Sequence, residues 1–252
     1  MQADNEVNGQ PCDNISEKNP YYNELTAMYW AWKNLRRLYP DVKYVGLFHY
    51  RRFLAFHERK FLAETIAKPE SEILKYHINP SEIIGMVSSG IIPVVNKMVF
   101  PYSIMFQYAQ CHFSDDYKVL REIIRSKFPD YYDAFIRVME HSSKLFARNI
   151  FIMKYDDFVQ YCEWLFAVLD AVDEKIPYVH YGSPHQRRVP AFMAERLFNV
   201  YAAQHKLKLK HFNLYFYEGE ARHRNLLWRS IAVAYRAMSY IKQDLTFRLL
   251  NS

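Results

Sequence analysis

The chain has 252 residues, of which 50% are hydrophobic and 17% aromatic, enough apolar surface for a packed core and too much for a disordered chain. Its net charge is +6, but through most of the sequence the basic residues are interspersed with acidic ones, so no cationic stripe points to nucleic acid. Cys12, Cys111 and Cys162 are odd in number, far apart and in no metal-ligand spacing, which argues against a disulfide framework or zinc site and suits a reducing cytoplasm. The polar, acidic start, Met1-Gln2-Ala3-Asp4-Asn5-Glu6, lacks the pattern of a signal peptide, and no apolar run approaches the roughly 20 residues that span a bilayer. A soluble or peripheral protein is expected.

In chain order, Met1 to Asn19 reads as loop, and Pro20 suits the first turn of a helix running to about Leu38, with Leu25, Met28, Trp32 and Leu35 on one face. Val42 to Phe48 reads as a short buried strand. Phe56 to Ala67 reads as a charged helix ending before Pro69, Ser81 to Met86 as a short helix, and Gly90 to Val95 as a strand. Helices are predicted over Tyr102 to Cys111, Asp115 to Lys127 and Tyr131 to Glu140. A strand over Asn149 to Lys154 leads into a helix over Tyr155 to Asp173 that aligns Phe158, Tyr161, Cys162, Leu165 and Leu169. Ala191 to His205 is helical, and Lys206 to Tyr217 alternates like a strand whose phase slips near Lys210-His211, read as a bulge. Short strands among many helices give an α/β class.

Without an internal repeat or Gly/Ser linker, residues 1–218 read as one domain, followed by a basic segment, 219–252. There Arg222, Arg224, Arg229, Arg236, Lys242 and Arg248 oppose Glu220 and Asp244, while Leu227, Ile231, Tyr235, Met238 and Ile241 recur near helical spacing. Either this helix docks on its own domain with a solvated cationic side, or it lies on an anionic membrane face.

With six glycines there is no G-x-G-x-x-G or P-loop, and neither G-x-S-x-G nor H-E-x-x-H occurs. A strict Asp-x-Asp is absent too; Asp115-Asp116, Asp156-Asp157 and Glu218-Gly219-Glu220 read as helix starts or turns. The His49-Tyr50-Arg51-Arg52 cluster follows a buried strand, where open α/β sheets place ligands. Its adjacent guanidiniums need acidic partners, either Glu24 or Glu58 or a ligand diphosphate gripped by arginine. Asn149, opening a buried strand, is either an ordinary turn residue or a recognition amide. Glu195 sits among apolar neighbours just inside a helix. Half-buried with a raised pKa it is a general base; paired with Arg188 or Arg196 it is a strut.

Six blocks carry a resemblance: Asp13-Asn14-Ile15-Ser16-x-Lys18-Asn19-Pro20, Glu24-Leu25-Thr26-Ala27-x-Tyr29-Trp30-Ala31-Trp32-Lys33-Asn34, Gly46-Leu47-x-His49-Tyr50-Arg51-Arg52, Asn149-x-Phe151-Ile152-Met153, Tyr161-Cys162-x-Trp164-Leu165-Phe166 and Ala194-Glu195-Arg196-Leu197. In this order they resemble the DUF4422 family of bacterial capsular and exopolysaccharide biosynthesis proteins, regarded as glycosyltransferases. The resemblance implies a GT-A-like α/β fold with a helix-rich carboxyl-terminal half, a UDP-sugar donor, and a lipid-linked saccharide acceptor at the inner face of the cell membrane. It implies transfer of a hexosyl group, with galactose, in pyranose or furanose form, as one candidate. The rival reading is a non-catalytic saccharide-binding or assembly subunit. The family's usual first strand and loop are missing ahead of Asp13, so the expectation is either a truncated start or an incomplete donor pocket. The resemblance assigns Glu195 and His49 to catalysis, Asp13, Asn14, Lys18, Tyr50, Arg51 and Arg52 to the donor, and Asn149 and Arg188 to sugar or acceptor. A divalent cation, Mn or Mg, would accompany such a donor, without support from an Asp-x-Asp.

Overall fold

In the computed structural model the described residues are 6–7, 9–49, 52–56, 64–67 and 80–217, with the side chains of 64–67 and 215–217 set aside. The basic segment 219–252 therefore lies outside the described residues, as do Tyr50 and Arg51. A small hairpin of β1 (Glu6–Val7) and β2 (Gln10–Pro11) bends around Gly9, whose φ of 75° favours glycine. The central sheet follows: β3 (Tyr44–Leu47), β4 (Arg52–Ala55), β5 (Glu64–Ala67) and β6 (Ile91–Val95), with β7 (Met98–Val99) and β8 (Lys144–Leu145) forming a separate pair, then β9 (Phe151–Lys154) and β10 (Lys208–Tyr217). Its order is β3-β9-β6-β10-β4, and β5 also pairs with β10.

The sheet is curled, and the connectivity shows why. β3 and β4 occupy opposite ends of the strand order, yet only residues 48–51 separate them in the chain. In a flat sheet, neighbouring strands about 4.8 Å apart would put these ends roughly 19 Å from each other. The connection instead turns tightly, with the Arg52 N–H donating to the His49 carbonyl at 3.1 Å and the Phe48 and Phe53 rings 6.2 Å apart. Gly46 leaves room for this approach, since a Cβ there would meet the Phe48 ring at 2.9 Å.

Helices cover the sheet and carry most of the core. Helix Tyr155–Lys175 buries the predicted Phe158, Tyr161, Cys162, Leu165 and Leu169, and also Trp164, Phe166, Val168 and Val172. It is apolar on more than one face because it packs between the sheet and helices Glu24–Leu38, Ser114–Lys127 and Val189–Gln204. Phe198 of the last of these lies 5.1 Å from both Phe151 and Tyr161. One buried polar group ties this helix to the sheet layer. Asn199 accepts from the Phe146 N–H at 3.2 Å and donates to the Phe146 carbonyl at 3.0 Å and the Glu195 carbonyl at 2.8 Å.

Four expectations change. Met1 to Asn19, expected as loop, holds the β1–β2 hairpin and a 3₁₀ turn, Ser16–Lys18, because backbone pairing between two-residue strands leaves no apolar pattern. The helix predicted from Pro20 to Leu38 is interrupted at Asn23, whose φ of 49° ends helix Asn19–Tyr22 before Glu24–Leu38 restarts. Glu64 to Ala67, expected in a charged helix, forms β5. Thr65 and Ile66 are β-branched, and the parallel pairing with β10 supplies backbone partners that a local pattern does not reveal. The expected bulge in β10 is absent, for its register with β6 runs unbroken from Lys208↔Ile91 to Phe212↔Val95. The face that carries Lys208 and Lys210 in solvent carries Phe212 and Leu214 in the core, because β10 passes from β6 to a place between β4 and β5. All three cysteines are free, Cys12 and Cys162 buried and Cys111 exposed. Among the described residues no helix is long and apolar enough to cross a membrane.

Asn199→Ala is expected to cost about 2–4 kcal/mol, because it leaves both backbone groups of Phe146 without their partner in a buried setting. Urea denaturation midpoints at an unchanged m-value measure this loss.

Candidate functional site

A cleft of about 610 Å³ opens where β3 ends, where β9 begins, and where helices Glu24–Leu38 and Val189–Gln204 start. Two carboxylates and one imidazole line it, those of Glu24, Glu195 and His49. All three are oriented by one corner of chain, Arg148-Asn149, both residues of which have left-handed φ values, 82° and 41°. The Arg148 N–H donates to Glu195 Oε1 at 3.0 Å, and its carbonyl accepts from His49 Nε2 at 2.7 Å. Asn149, only 3% exposed, donates its Nδ2 to Glu24 Oε1 at 3.0 Å.

These bonds fix chemical roles. A carbonyl only accepts, so His49 Nε2 carries a proton and Nδ1 is the ring atom left to accept in the neutral form. Burial lifts the Glu195 carboxyl above the usual carboxylate range; the Arg196 charge opposes the lift, Glu24 adds to it, and the Arg148 N–H and His49 moderate it. Its side chain keeps 24% exposure, toward the cleft that it lines. The strut expected for Glu195 is weak. Arg196 Nη1 stands 3.9 Å from Glu195 Oε2, and its short bonds go to the Phe192 carbonyl and to Gln107 Oε1, each at 2.6 Å. Arg188 does not pair with Glu195 either. With the Asn23 amide oxygen turned toward it, Arg188 donates from Nε at 2.6 Å and from Nη2 at 3.0 Å.

The opposite quality, positive potential, comes from several sources. Arg52 and Arg188 line the cleft, and the two helices that start there direct their amino-terminal ends toward it. Phe192 forms an apolar wall, with the Arg188 guanidinium 5.4 Å from its ring and His112 stacked on it at 4.0 Å. Burial pushes His112 down to about 4, with the Arg196 charge adding to the effect, so at neutral pH it stacks as an uncharged ring.

Of the residues singled out in the sequence, the structure brings together His49, Arg52, Arg188 and Glu195, with Asn149 behind Glu24. Tyr50 and Arg51 lie outside the described residues. Asp13, Asn14 and Lys18, assigned to the donor by the resemblance, are not among the residues that line this cleft. Asp13 is clasped through its backbone by the buried Asn34, at 3.1 and 2.8 Å. Asn14 accepts from the Ser16 N–H and donates to the Cys12 carbonyl, and Lys18 pairs at 2.8 Å with Asp173, which also binds Tyr22 and Tyr178. The same stretch does reach the cleft, through Asn19, Asn23, Glu24 and Thr26. Glu24 entered the sequence analysis as an ion-pair partner and as the first residue of a resemblance block; its place at a helix start was hidden, because the break at Asn23 was not foreseen. Arg148 had no signal, because nothing in an arginine announces a left-handed backbone.

Among the described residues no three His, Cys, Asp or Glu side chains are arranged to hold a metal ion. In the cleft, one oxygen of each carboxylate and the His49 Nε2 are already committed to protein partners. Among the described residues the second oxygen of each carboxylate has no such partner.

A family model described as Domain of unknown function (DUF4422) matches residues 1–206. A search of curated proteins returns no match. Among solved structures, the chain is similar to one described as the WbbM bifunctional glycosyltransferase in its apo form, with a TM-score of 0.72 and 29% sequence identity. The match covers 85% of this chain, which spans 40% of that one. The helix-rich α/β fold expected from the sequence is thus the fold of a solved glycosyltransferase region.

Two outcomes follow from the site's geometry. Arg148→Gly should be more stable than Arg148→Ala by roughly 1 kcal/mol, because both lose the side chain and only glycine escapes the left-handed penalty; equal denaturation midpoints would show that the corner is unstrained. His112 lowers stability as pH falls from about 6.5, the ordinary histidine value, toward about 4, since in that window the unfolded chain binds a proton that the folded one refuses. Melting temperatures of His112→Asn across this range should show a shallower decline than those of the unaltered protein.

Proposed function

The chain belongs to the DUF4422 family, and from that premise we propose that it is a glycosyltransferase that moves a hexosyl group from a UDP-sugar to a lipid-linked saccharide acceptor. The observation that carries the reading is the meeting of Glu195 and His49 on the backbone of Arg148, in a cleft that also holds Arg52 and Arg188. The similarity to a bifunctional glycosyltransferase supports it.

In this reading Glu195 Oε2, the oxygen not held by the Arg148 N–H, takes the proton of the acceptor hydroxyl. The freed oxygen attacks the anomeric carbon while the bond from that carbon to the diphosphate oxygen breaks, and UDP leaves with the electron pair. A single displacement inverts the anomeric centre. A carboxylate whose proton affinity is raised by burial is a better base near neutral pH than an exposed one. Arg52, Arg188 and the two helix amino termini offset the charge that builds on the leaving diphosphate. His49, held through Nε2, offers Nδ1 to a donor or acceptor hydroxyl. A lipid-linked acceptor would bring the chain to the inner face of the cell membrane as a peripheral protein.

Glu195→Gln is expected to lower turnover by roughly 10²- to 10⁴-fold while UDP affinity, measured by calorimetry, stays unchanged. The unaltered enzyme should lose kcat as pH falls through a value above that of an ordinary glutamate, because the base works only when ionised and burial raises its pKa. Arg52→Ala or Arg188→Ala should weaken UDP binding by about 1.5–3 kcal/mol, the loss of a charge-assisted bond. A folded protein that binds UDP-sugar but neither hydrolyses nor transfers it, with saccharide acceptors supplied, would overturn the enzymatic reading in favour of a binding subunit.

A further inference from the structure

We propose that Glu24 is the side chain that receives the hydroxyls of a hexosyl unit in this cleft, and that Asn149 is its positioning residue; this rests on the glycosyl-transfer reading. The two carboxylates of the cleft are held differently. Glu195 has Arg196 at 3.9 Å and a backbone N–H on one oxygen. Glu24 is held on Oε1 by the amide of Asn149, and among the described residues no cation forms a salt bridge with it. Arg188, which lines the same cleft, gives its Nε and Nη2 to the Asn23 amide oxygen turned toward it.

An ionised carboxylate accepts hydrogen bonds and donates none. Neutral O–H donors suit it, since among the described residues no cation pairs with it, and adjacent hydroxyls of a sugar ring present two such donors to one carboxylate. The support behind Glu24 is rigid. Asn149 is 3% exposed, and its left-handed φ of 41° is kept by the buried strand β9 that follows. Its amide therefore cannot itself reach a sugar. It acts by aiming Glu24, which leaves Oε2 for the ligand. The cleft then divides into an anion-facing part, formed by Arg52, Arg188 and the helix starts, and a hydroxyl-facing part around Glu24, with Glu195 lining the same space.

The hydroxyls belong either to the donor's hexose or to the acceptor's, and the test separates the two. UDP and UDP-galactose are titrated into the folded full chain and into Glu24→Gln, Glu24→Asp and Asn149→Ala, and acceptor KM is measured for each. If the donor sugar is held, the unaltered protein binds UDP-galactose more tightly than UDP, and Glu24→Gln loses that preference by on the order of 10- to 100-fold with UDP affinity unchanged. If the acceptor is held, the UDP-galactose to UDP ratio stays the same and acceptor KM rises by a similar factor. Glu24→Asp, which keeps the charge but withdraws it, and Asn149→Ala, which releases it, should both show the same pattern to a smaller degree. A ratio and an acceptor KM both within twofold of the unaltered protein, in folded Glu24→Gln or Glu24→Asp, overturn the role of Glu24 alone. Absence of UDP and UDP-galactose binding by the unaltered protein overturns the transfer reading and this proposal with it.

Discussion

The two consecutive left-handed residues at Arg148 and Asn149 are the constraint on which the cleft depends. Left-handed backbone at a non-glycine residue costs about 1–2 kcal/mol each, so it persists only where the surroundings over-determine it. Here both flanks do so. Upstream, Asn199 clasps both backbone groups of Phe146 from a helix buried on most sides. Downstream, β9 is locked between β3 and β6, with Phe151 fully buried. The chain must pass from one fixed point to the other within a few residues, and the corner is the result. Its exposed polar groups are then turned toward Glu195, His49 and Glu24.

The curl of the sheet supplies the second half of the arrangement. It brings the end of β3 and the start of β4 together, which sets His49 and Arg52 on one side of a tight turn facing the β9 corner. The helices then begin at the same rim, so partial positive charge from backbone N–H groups joins that of the guanidiniums. Acidic and basic groups thereby share a small volume without collapsing into mutual ion pairs. Asn23 and Asn149 make this possible, because each amide holds a charged partner without neutralising it.

Much of this was legible in the residues. Helix Tyr155–Lys175 announced itself through a long apolar period, and the meeting of His49 and Glu195 in one cleft was legible only through the family resemblance that assigned both to catalysis. The break at Asn23 was hidden because Asn, unlike Gly or Pro, is an ordinary helix residue until a left-handed φ is imposed on it. β5 was hidden because its partner strand lies far along the chain, and pattern within Glu64 to Ala67 says nothing of that pairing. In β10 the change of phase was real but had a different cause: one face of an unbroken strand moves from solvent into the core. The ion pair of Lys18 with Asp173 was hidden because the two residues are remote in sequence and near only in the fold.

The position of β10 in the sheet sets an order on assembly. Leu54 of β4 pairs with Leu214, and Ile66 of β5 with Phe216, so both early strands take their ladder partner from the last described element. As the chain leaves the ribosome, nearly all of the family-matched region is synthesised before that partner exists. Contacts of such long sequence separation form slowly, and the edges of β4 and β5 stay open to mispairing while they wait. The corner that closes the curl beside His49 and Arg52 therefore becomes secure only after Phe216 is in place, which makes the cleft among the last parts of the molecule to mature.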